Sequence, residues 1–290
     1  MELRHIRYFL AVAEEQNFTR AAARLGIGQP PLSQQIRDLE TEIGAALFHR
    51  VPHGAELTAA GAAFLSEARA SLAAAEAAKL SARRAARGET GKLALGFTAS
   101  AAFNPVVTGA IRRFRSEWPG VALSLAEMNS NWLIEKLERG EIDAAFIRPG
   151  LEDPKAVRLK RLADEPMLIA LPAHHELATL STVPIAALAG EPFVLFPRTV
   201  GLSLFDDILS ACRDAGFELN VTQEAPQIPS VVNLVAAGLG VSIVPGSITK
   251  IAIEGVVYRP IEGPGPVARL AIAVMNAQRS PIALNLFELV

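Results

Sequence analysis

The stretch "TAAGAAFLSEARASLAAAEAAKLSARRAARG", from Thr58 to Gly88, leaves the backbone almost no choice but a long helix. It contains no proline and no glycine between Gly61 and Gly88, and it is dominated by alanine, the residue with the highest intrinsic helix propensity. A helix of this length must bury its apolar stripe somewhere. It cuts the chain into an N-terminal piece (residues 1–58), the helix itself (59–88) and a C-terminal piece (92–290), with "RGETGK" (87–92) as a hinge. Leu65, Leu72 and Lys79 fall seven apart, with Ala68, Ala75 and Ala82 between them. Such a seam suits close pairing with a second copy of the helix; a monomeric surface helix is the alternative reading.

The N-terminal piece reads as three short helices and a ribbon. Ile6, Phe9, Leu10 and Ala13 share one helical face. A second helix has Asn17 or Thr19 as its cap, turns Phe18, Ala22 and Leu25 inward, and ends at Gly26. Pro30 and Pro31 open a third, where a missing N–H costs nothing, and Leu32, Ile36 and Leu39 form its buried stripe. "LFHR" and "AELT" then flank the turn-like "VPHG", as the two strands of a wing would.

Alternating strand and helix patterns fill the C-terminal piece, which is the signature of an α/β architecture with parallel sheets. Strands are predicted at 92–98, 121–127, 143–148, 166–172, 192–196, 241–245, 256–261 and 268–275. Helices are predicted at 104–117, 131–139, 203–215 and 230–237, with a last one starting near Pro281. "DEPMLIALPAHH" (164–175) marks a crossover into a second lobe and "PIEGPGPVARLAIAVM" (260–275) the return. Lobe I is then 92–163 plus 267–290, and lobe II is 164–266.

Several function classes are excluded or weakened. The net charge of -2 and pI near 6.2 give no global polyanion-binding signature. Residues 1–61 hold six Arg and no Lys against seven Asp/Glu, so any DNA affinity has to come from local placement. One cysteine, Cys212, excludes a disulfide framework and any CxxC-type zinc site; it reads as a small buried apolar group. "GLSLF" lacks the second glycine of a nucleophile elbow, and "GLGVSIVPG" lacks the third glycine of a dinucleotide fingerprint. His174 and His175 are adjacent in a turn, an arrangement unlike spaced metal ligands. No catalytic residue, metal or cofactor is expected. Charges break the apolar run of "MELRHIRYFLAVAEEQNF", unlike a secretory leader, and no apolar run spans a bilayer. A cytoplasmic protein without membrane contact is the expectation.

"NFTRAAARLGIGQPPLSQQIRDLE" (17–40) has the length and glycine-bearing turn of a helix-turn-helix. The second helix of that motif enters the major groove with its N-terminal residues against base edges. Gln29, Ser33, Gln34 and Arg37 crowd one face of it, and these side chains suit base and phosphate contacts. Arg50 and His53 in the wing suit the DNA backbone or minor groove. A small three-helix module with a polar solvated face is the alternative reading of the same residues.

In the α/β piece, ligands bind beyond the carboxyl ends of strands. Thr98 and Ser100 follow the first strand, where the amides before the helix at 104 make a carboxylate-attracting helix terminus. Asn129 and Ser130 follow the second, and Phe146 and Arg148 end the third. Thr199, Ser203, Gln227 and Ile228 face them from the other lobe. Arg148 and Arg198 are candidate carboxylate partners, with Glu127 or Asp143 as competing partners for Arg148. Ser, Thr and Asn at these places are also ordinary helix caps.

The segment "MELRHIRYFLAVAEEQNFTRAAARLGIGQPPLSQQIRDLETEIGAALFHR", followed by "LTAAG", resembles the N-terminus of LysR-type transcriptional regulators. The linker helix and an α/β region of the expected size continue the likeness over essentially the whole chain. It implies an all-α winged helix-turn-helix joined by a long linker helix to a two-lobed region like type 2 periplasmic binding proteins. It also implies double-stranded promoter DNA, a small-molecule effector, RNA polymerase and further copies of the chain (a dimer of dimers) as partners. By the family pattern Gln29, Pro30, Ser33, Gln34 and Arg37 face DNA with Arg50 and His53, and Ser100, Ser130, Thr199, Ser203 and Gln227 face the effector. Many relatives carry Arg where this chain has Gln34, which implies a different base preference here. "MELRHIRYF" and "LVAAGLGVSIVP" are closest in style to the branch that answers aromatic acids and their ring-cleavage products, so the implied effector is a small carboxylate, aromatic ones included. A stand-alone solute-binding protein or an enzyme on the same two-lobed fold is the alternative; it leaves residues 1–90 without a task.

Overall fold

Ile6, Phe9, Leu10 and Val12 recur at helical spacing, and helix α1 (Leu3–Glu15) buries all four. Helix α2 (Phe18–Leu25) begins where the Asn17 side chain accepts from the amides of Thr19 (2.9 Å) and Arg20 (3.0 Å), and it stops at Gly26 with φ of 70°. Helix α3 (Gln29–Ile43) carries Pro30 and Pro31 in its first turn and ends at Gly44, also left-handed. Strands β1 (Phe48–Val51) and β2 (Gly54–Leu57) pair antiparallel as the wing, Arg50 opposite Ala55. The rings of Phe9, Phe48 and Phe64 close the core, with Phe9 4.9 Å from Phe64 and 5.1 Å from Phe48.

In this computed structural model, which describes residues 1–52, 54–150 and 152–290, the chain forms two units, Met1–Arg84 and Ala85–Val290. Helix α4 (Ala59–Ala86) belongs to the first unit up to Arg84. Its opening turn approaches the module closely: a Cβ on Gly61 would lie 2.1 Å from the Leu47 carbonyl oxygen. Ala68 is buried in the module core, and Phe64, Leu65 and Leu72 pack against it. The expected pairing seam is therefore divided. Its first half serves the module's own core, whereas residues 76–84 are all exposed.

The second unit holds two sheets. The first runs β4-β3-β5-β13-β6, built from β3 (Thr90–Phe97), β4 (Gly120–Glu127), β5 (Ala144–Ile147), β6 (Val157–Arg161) and β13 (Ala271–Met275). Helices α5 (Pro105–Glu117) and α6 (Ser130–Glu138) connect its parallel members, and α9 (Pro281–Leu289) covers it. The second has β7 (Glu165–Pro172) between β10 (Ser242–Pro245) and β11 (Val256–Pro260), with β12 (Val267–Ala268) on the start of β7. Beside it β8 (Phe193–Leu195) pairs with β9 (Val221–Glu224), and α7 (Leu202–Asp214) and α8 (Ile228–Ala236) complete that lobe.

The expectation of parallel sheets needs correction. β3 is parallel to β4 and β5, but β13 is antiparallel to both β5 and β6, and β7 is antiparallel to β10, β11 and β12. The reason is connectivity: the chain passes once from the first sheet to the second and returns, so the returning strand runs against its neighbours. The strand expected at 268–275 is also two pieces, broken at Arg269–Leu270. β6 and β9 carry the sequences "VRLKR" and "VTQE", too short and polar to show a strand pattern.

Candidate functional site

Two surfaces carry candidate chemistry. On α3, Gln29, Pro30, Gln34 and Arg37 are exposed. Ser33 is not on that open face: it is 4% exposed, and Gln29 Nε2 donates to its hydroxyl at 2.9 Å. Position 33 falls toward the apolar stripe of Leu32 and Ile36, which turns its side chain under Gln29. Arg37 Nη2 donates to Gln34 Oε1 (2.6 Å), and Gln34 Nε2 donates to Asp38 Oδ1 (2.7 Å). This chain of bonds follows from the i, i+3 and i, i+4 spacing of the three residues on a helix. It ties Gln34 and Arg37 together on the exposed face and leaves most of the Arg37 donors unused. In the wing, the Arg50 guanidinium lies over the Phe18 ring, 5.2 Å from its centroid, a cation–π contact that orients an exposed cation. His53 lies outside the described residues.

The other surface is a cavity of about 490 Å³ in the second unit. The ends of β3, β4 and β5 bring Thr98, Ser100, Asn129, Ser130 and Arg148 to one wall, and the segment before α7 and its first turn bring Thr199 and Ser203 to the other. These side chains already bond across the gap. Ser203 Oγ donates to the Arg148 carbonyl (3.3 Å), and Asn129 Nδ2 donates to the Thr199 carbonyl (3.5 Å). Ser130 Oγ accepts from the Arg148 amide at 3.1 Å.

Phe146, Ile228 and Gln227 do not line this cavity. Phe146 is 0% exposed in the first sheet's core, because the alternation of β5 turns it there, and Ile228 is buried in the second core. Gln227 is exposed and donates Nε2 to Glu127 Oε1 at 3.3 Å.

Arg148 needs the largest correction. Its partner is Glu165, not Glu127 or Asp143. Nε donates to Ser100 Oγ (3.2 Å), Nη1 to the carbonyls of Ala268 (3.0 Å) and Arg269 (3.2 Å), and Nη2 to the Ser100 carbonyl (3.2 Å) and to Glu165. A guanidinium has five N–H donors, and this set uses all of them at a side chain that is 95% buried, 5% exposed. Burial depresses the Arg148 pKa and the neighbouring Glu165 opposes that shift. Arg148 ties the two crossover segments together and has no donor left for a ligand. Arg198 forks onto Asp206 (2.7 and 3.0 Å) and is exposed, outside the cavity wall. The helix terminus at α5 is closed as well. Thr98 O takes the amides of Ala101 and Ala102, and the Asn104 side chain takes that of Val106.

Sequence reasoning missed four charged residues in the wall: Glu152, Asp206, Asp207 and Arg269. Arg269 carried a usable signal, as a lone cation inside the apolar run "VARLAIAVM". Asp207 and Glu152 sat among ordinary helix and loop charges and carried none. Cys212 is fully buried on α7, and burial pushes its thiol up to about 11, so it is a poor nucleophile at neutral pH.

Comparison with known proteins decides what these surfaces belong to. Residues 3–62 match the family described as bacterial regulatory helix-turn-helix protein, lysR family, and residues 86–290 match the LysR substrate binding domain. The chain belongs to the LysR family. It is 40% identical over 289 residues, 100% of both chains, to the HTH-type transcriptional regulator BudR of Raoultella terrigena. It is 41% identical over 286 residues, 98% of this chain and 96% of the other, to the uncharacterized regulator YnfL of Escherichia coli K12. The crystal structure of CbnR, a LysR family transcriptional regulator, superposes with a TM-score of 0.88 at 30% identity, covering 100% of this chain and 99% of that one.

As a LysR-family member the chain is a DNA-binding transcriptional regulator with an effector domain, and it is not an enzyme. CbnR has also been crystallised full-length with its target DNA, and that structure superposes with a TM-score of 0.84 at 29% identity. The alternative of a solute-binding protein or enzyme loses its ground, since the helix-turn-helix module has a family of its own. No helix among the described residues of this LysR-family protein is long and apolar enough to cross a membrane.

Proposed function

We propose that this regulator is a ligand-biased DNA switch: α3 and the wing read promoter DNA, and the cavity takes a small organic carboxylate, aromatic acids included. The observation that carries the effector half is the set of bonds across the cavity, Ser203 to Arg148 and Asn129 to Thr199. A ligand that replaces these bonds changes how the two lobes meet. It shifts the protein between arrangements only by its difference in affinity for them. The functional divisions are residues 1–58 for DNA, 59–88 for pairing and 92–290 for the effector. Gln29, Pro30, Gln34, Arg37, Arg50 and His53 are proposed for DNA, and Ser33 supports Gln29 from beneath. Thr98, Ser100, Asn129, Ser130, Thr199 and Ser203 are proposed for the effector. Pairing through α4 and a dimer of dimers would sum phosphate contacts from several near-neutral modules. Contact with RNA polymerase and residence in the cytoplasm complete the reading.

The test uses the full chain and a palindromic T-N11-A promoter site in a gel-shift titration. Arg37→Ala is expected to weaken binding by about tenfold, as loss of one charged contact does. Ser130→Trp, which fills the cavity, is expected to leave DNA affinity intact and abolish effector-dependent transcription. Unchanged effector response in Ser130→Trp would remove the cavity assignment.

A further inference from the structure

Among the described residues, the cavity wall holds two cations, Arg148 and Arg269. They are in opposite situations. All five N–H groups of Arg148 are bound within the protein. Arg269 instead meets one partner through one nitrogen. Its Nη2 donates to both oxygens of Asp207, at 2.6 and 2.5 Å, while its Nε is buried without any hydrogen-bond partner. The usual arginine–carboxylate fork uses two nitrogens, so this pair is incomplete. A buried donor left unpaired is costly.

The other half of the pair is also poorly satisfied. Burial pushes the Asp207 carboxyl up from its ordinary value against the pull of Arg269, and neighbouring Asp206 adds to the push. Asp207 sits in the second turn of α7, whose first residues line the same cavity. Gly201 gives that helix no side-chain cap, so its first amides add a favourable field for an anion. With Arg148 matched by Glu165, Arg198 by Asp206 and Arg269 by Asp207, an entering anion finds no free positive charge.

Resting on the effector reading above, we infer that Arg269 is the exchangeable anchor of the effector site: the ligand's carboxylate displaces Asp207 and takes the fork that Nε and Nη2 leave unmade. No covalent step is involved; one ion pair replaces another. The exchange also has a mechanical consequence. Arg269 lies at the break between β12 and β13, where Arg148 holds the carbonyls of Ala268 and Arg269, so its backbone is fixed. Asp207 rides on α7. Freed from Arg269, α7 loses its side-chain tie to the crossover, which couples occupancy to the relation between the lobes. The anchor discriminates a carboxylate from its neutral amide, which presents no charge to replace that of Asp207.

Calorimetric titration of the full chain tests this with benzoate and butyrate, and with benzamide and butyramide as neutral twins. Wild-type protein is expected to prefer each acid over its amide by about tenfold or more, the worth of a charge-assisted hydrogen bond. Asp207→Asn is expected to tighten the acids by about tenfold and leave the amides unchanged, because the internal competitor has lost its charge. Arg269→Gln is expected to bring acid and amide within about twofold of each other. Retained acid preference in Arg269→Gln, no gain in Asp207→Asn, or no binding of either acid to wild type and Asp207→Asn alike overturns the inference. Where Arg269→Gln lowers the ligand-free melting temperature sharply, the Asp207→Asn result decides alone, since that variant keeps the arginine. Ser130→Trp separates the two levels. Acid binding lost there, with the acid preference kept in Arg269→Gln, leaves the cavity reading standing without this anchor; acid binding kept in Ser130→Trp removes the cavity reading itself.

Discussion

At the scale of single residues, Arg148 has the most concentrated role. Removing one member of a buried ion pair leaves the other charge uncompensated, at a cost of about 3–5 kcal/mol. Arg148→Ala is therefore expected to lower the unfolding free energy of the second unit by about that amount in urea denaturation. The double variant Arg148→Met/Glu165→Leu is expected to recover about half or more of the loss, because no buried charge is then left alone. A loss below about 1 kcal/mol in the single variant would show that water reaches Glu165. The identity of its partner could not be read from the sequence. Glu165 is one of two adjacent acids in "ADEP", and which of them faces Arg148 depends on the register of β7, set by pairing with β10, β11 and β12. The caps were legible by contrast. Asn17, Asn104 and Asn129 each stand before a helix and bond its first free amides, an outcome fixed by local chemistry.

At the scale of elements, legibility followed the strength of the periodic signal. Helices α1 to α3 have clear apolar stripes, and α2 and α3 start within a residue or two of the expected cap at Asn17 and the expected opening prolines. β6 was invisible because three of its five residues are charged, yet it holds an edge of the first sheet: Lys160 Nζ donates to the carbonyls of Phe287 and Glu288, and the Arg158 guanidinium lies 4.5 Å from the Phe287 ring centroid. Gly61 gives a test of element packing in which two effects oppose each other. Within a helix, Gly→Ala stabilises by about 1 kcal/mol through propensity. Here the added Cβ would sit 2.1 Å from a backbone oxygen, and such overpacking costs about 1–3 kcal/mol. Gly61→Ala is expected to lower the thermal midpoint of the N-terminal unit. A raised midpoint would mean that the Leu47 backbone in front of α4 gives way easily.

At the scale of the whole molecule, α4 poses the question of what covers it. Leu80 is 55% exposed and lies beyond the last residue that packs on the N-terminal core, Leu72. A surface helix normally keeps its large apolar residues against something. Leu80→Lys is expected to shift sedimentation of the full chain toward smaller species and to leave the melting of the N-terminal unit unchanged. Unchanged sedimentation would place the contact between copies elsewhere. The sequence predicted the helix but not this division along it, because the same heptad spacing of Leu65, Leu72 and Lys79 runs from residues packed on the N-terminal core to residues left exposed.

The order in which the chain is made gives the two units unequal fates. The N-terminal core ends at Leu72, within the first quarter of synthesis. The first sheet of the second unit is discontinuous: β13 inserts between β5 and β6 and α9 covers it, so it stays incomplete until the final residues emerge. At bacterial-type synthesis rates the DNA-reading module precedes a finished effector region by roughly 10 to 40 s. A newborn chain thus holds folded α3 and wing well before it holds anything able to sense a ligand.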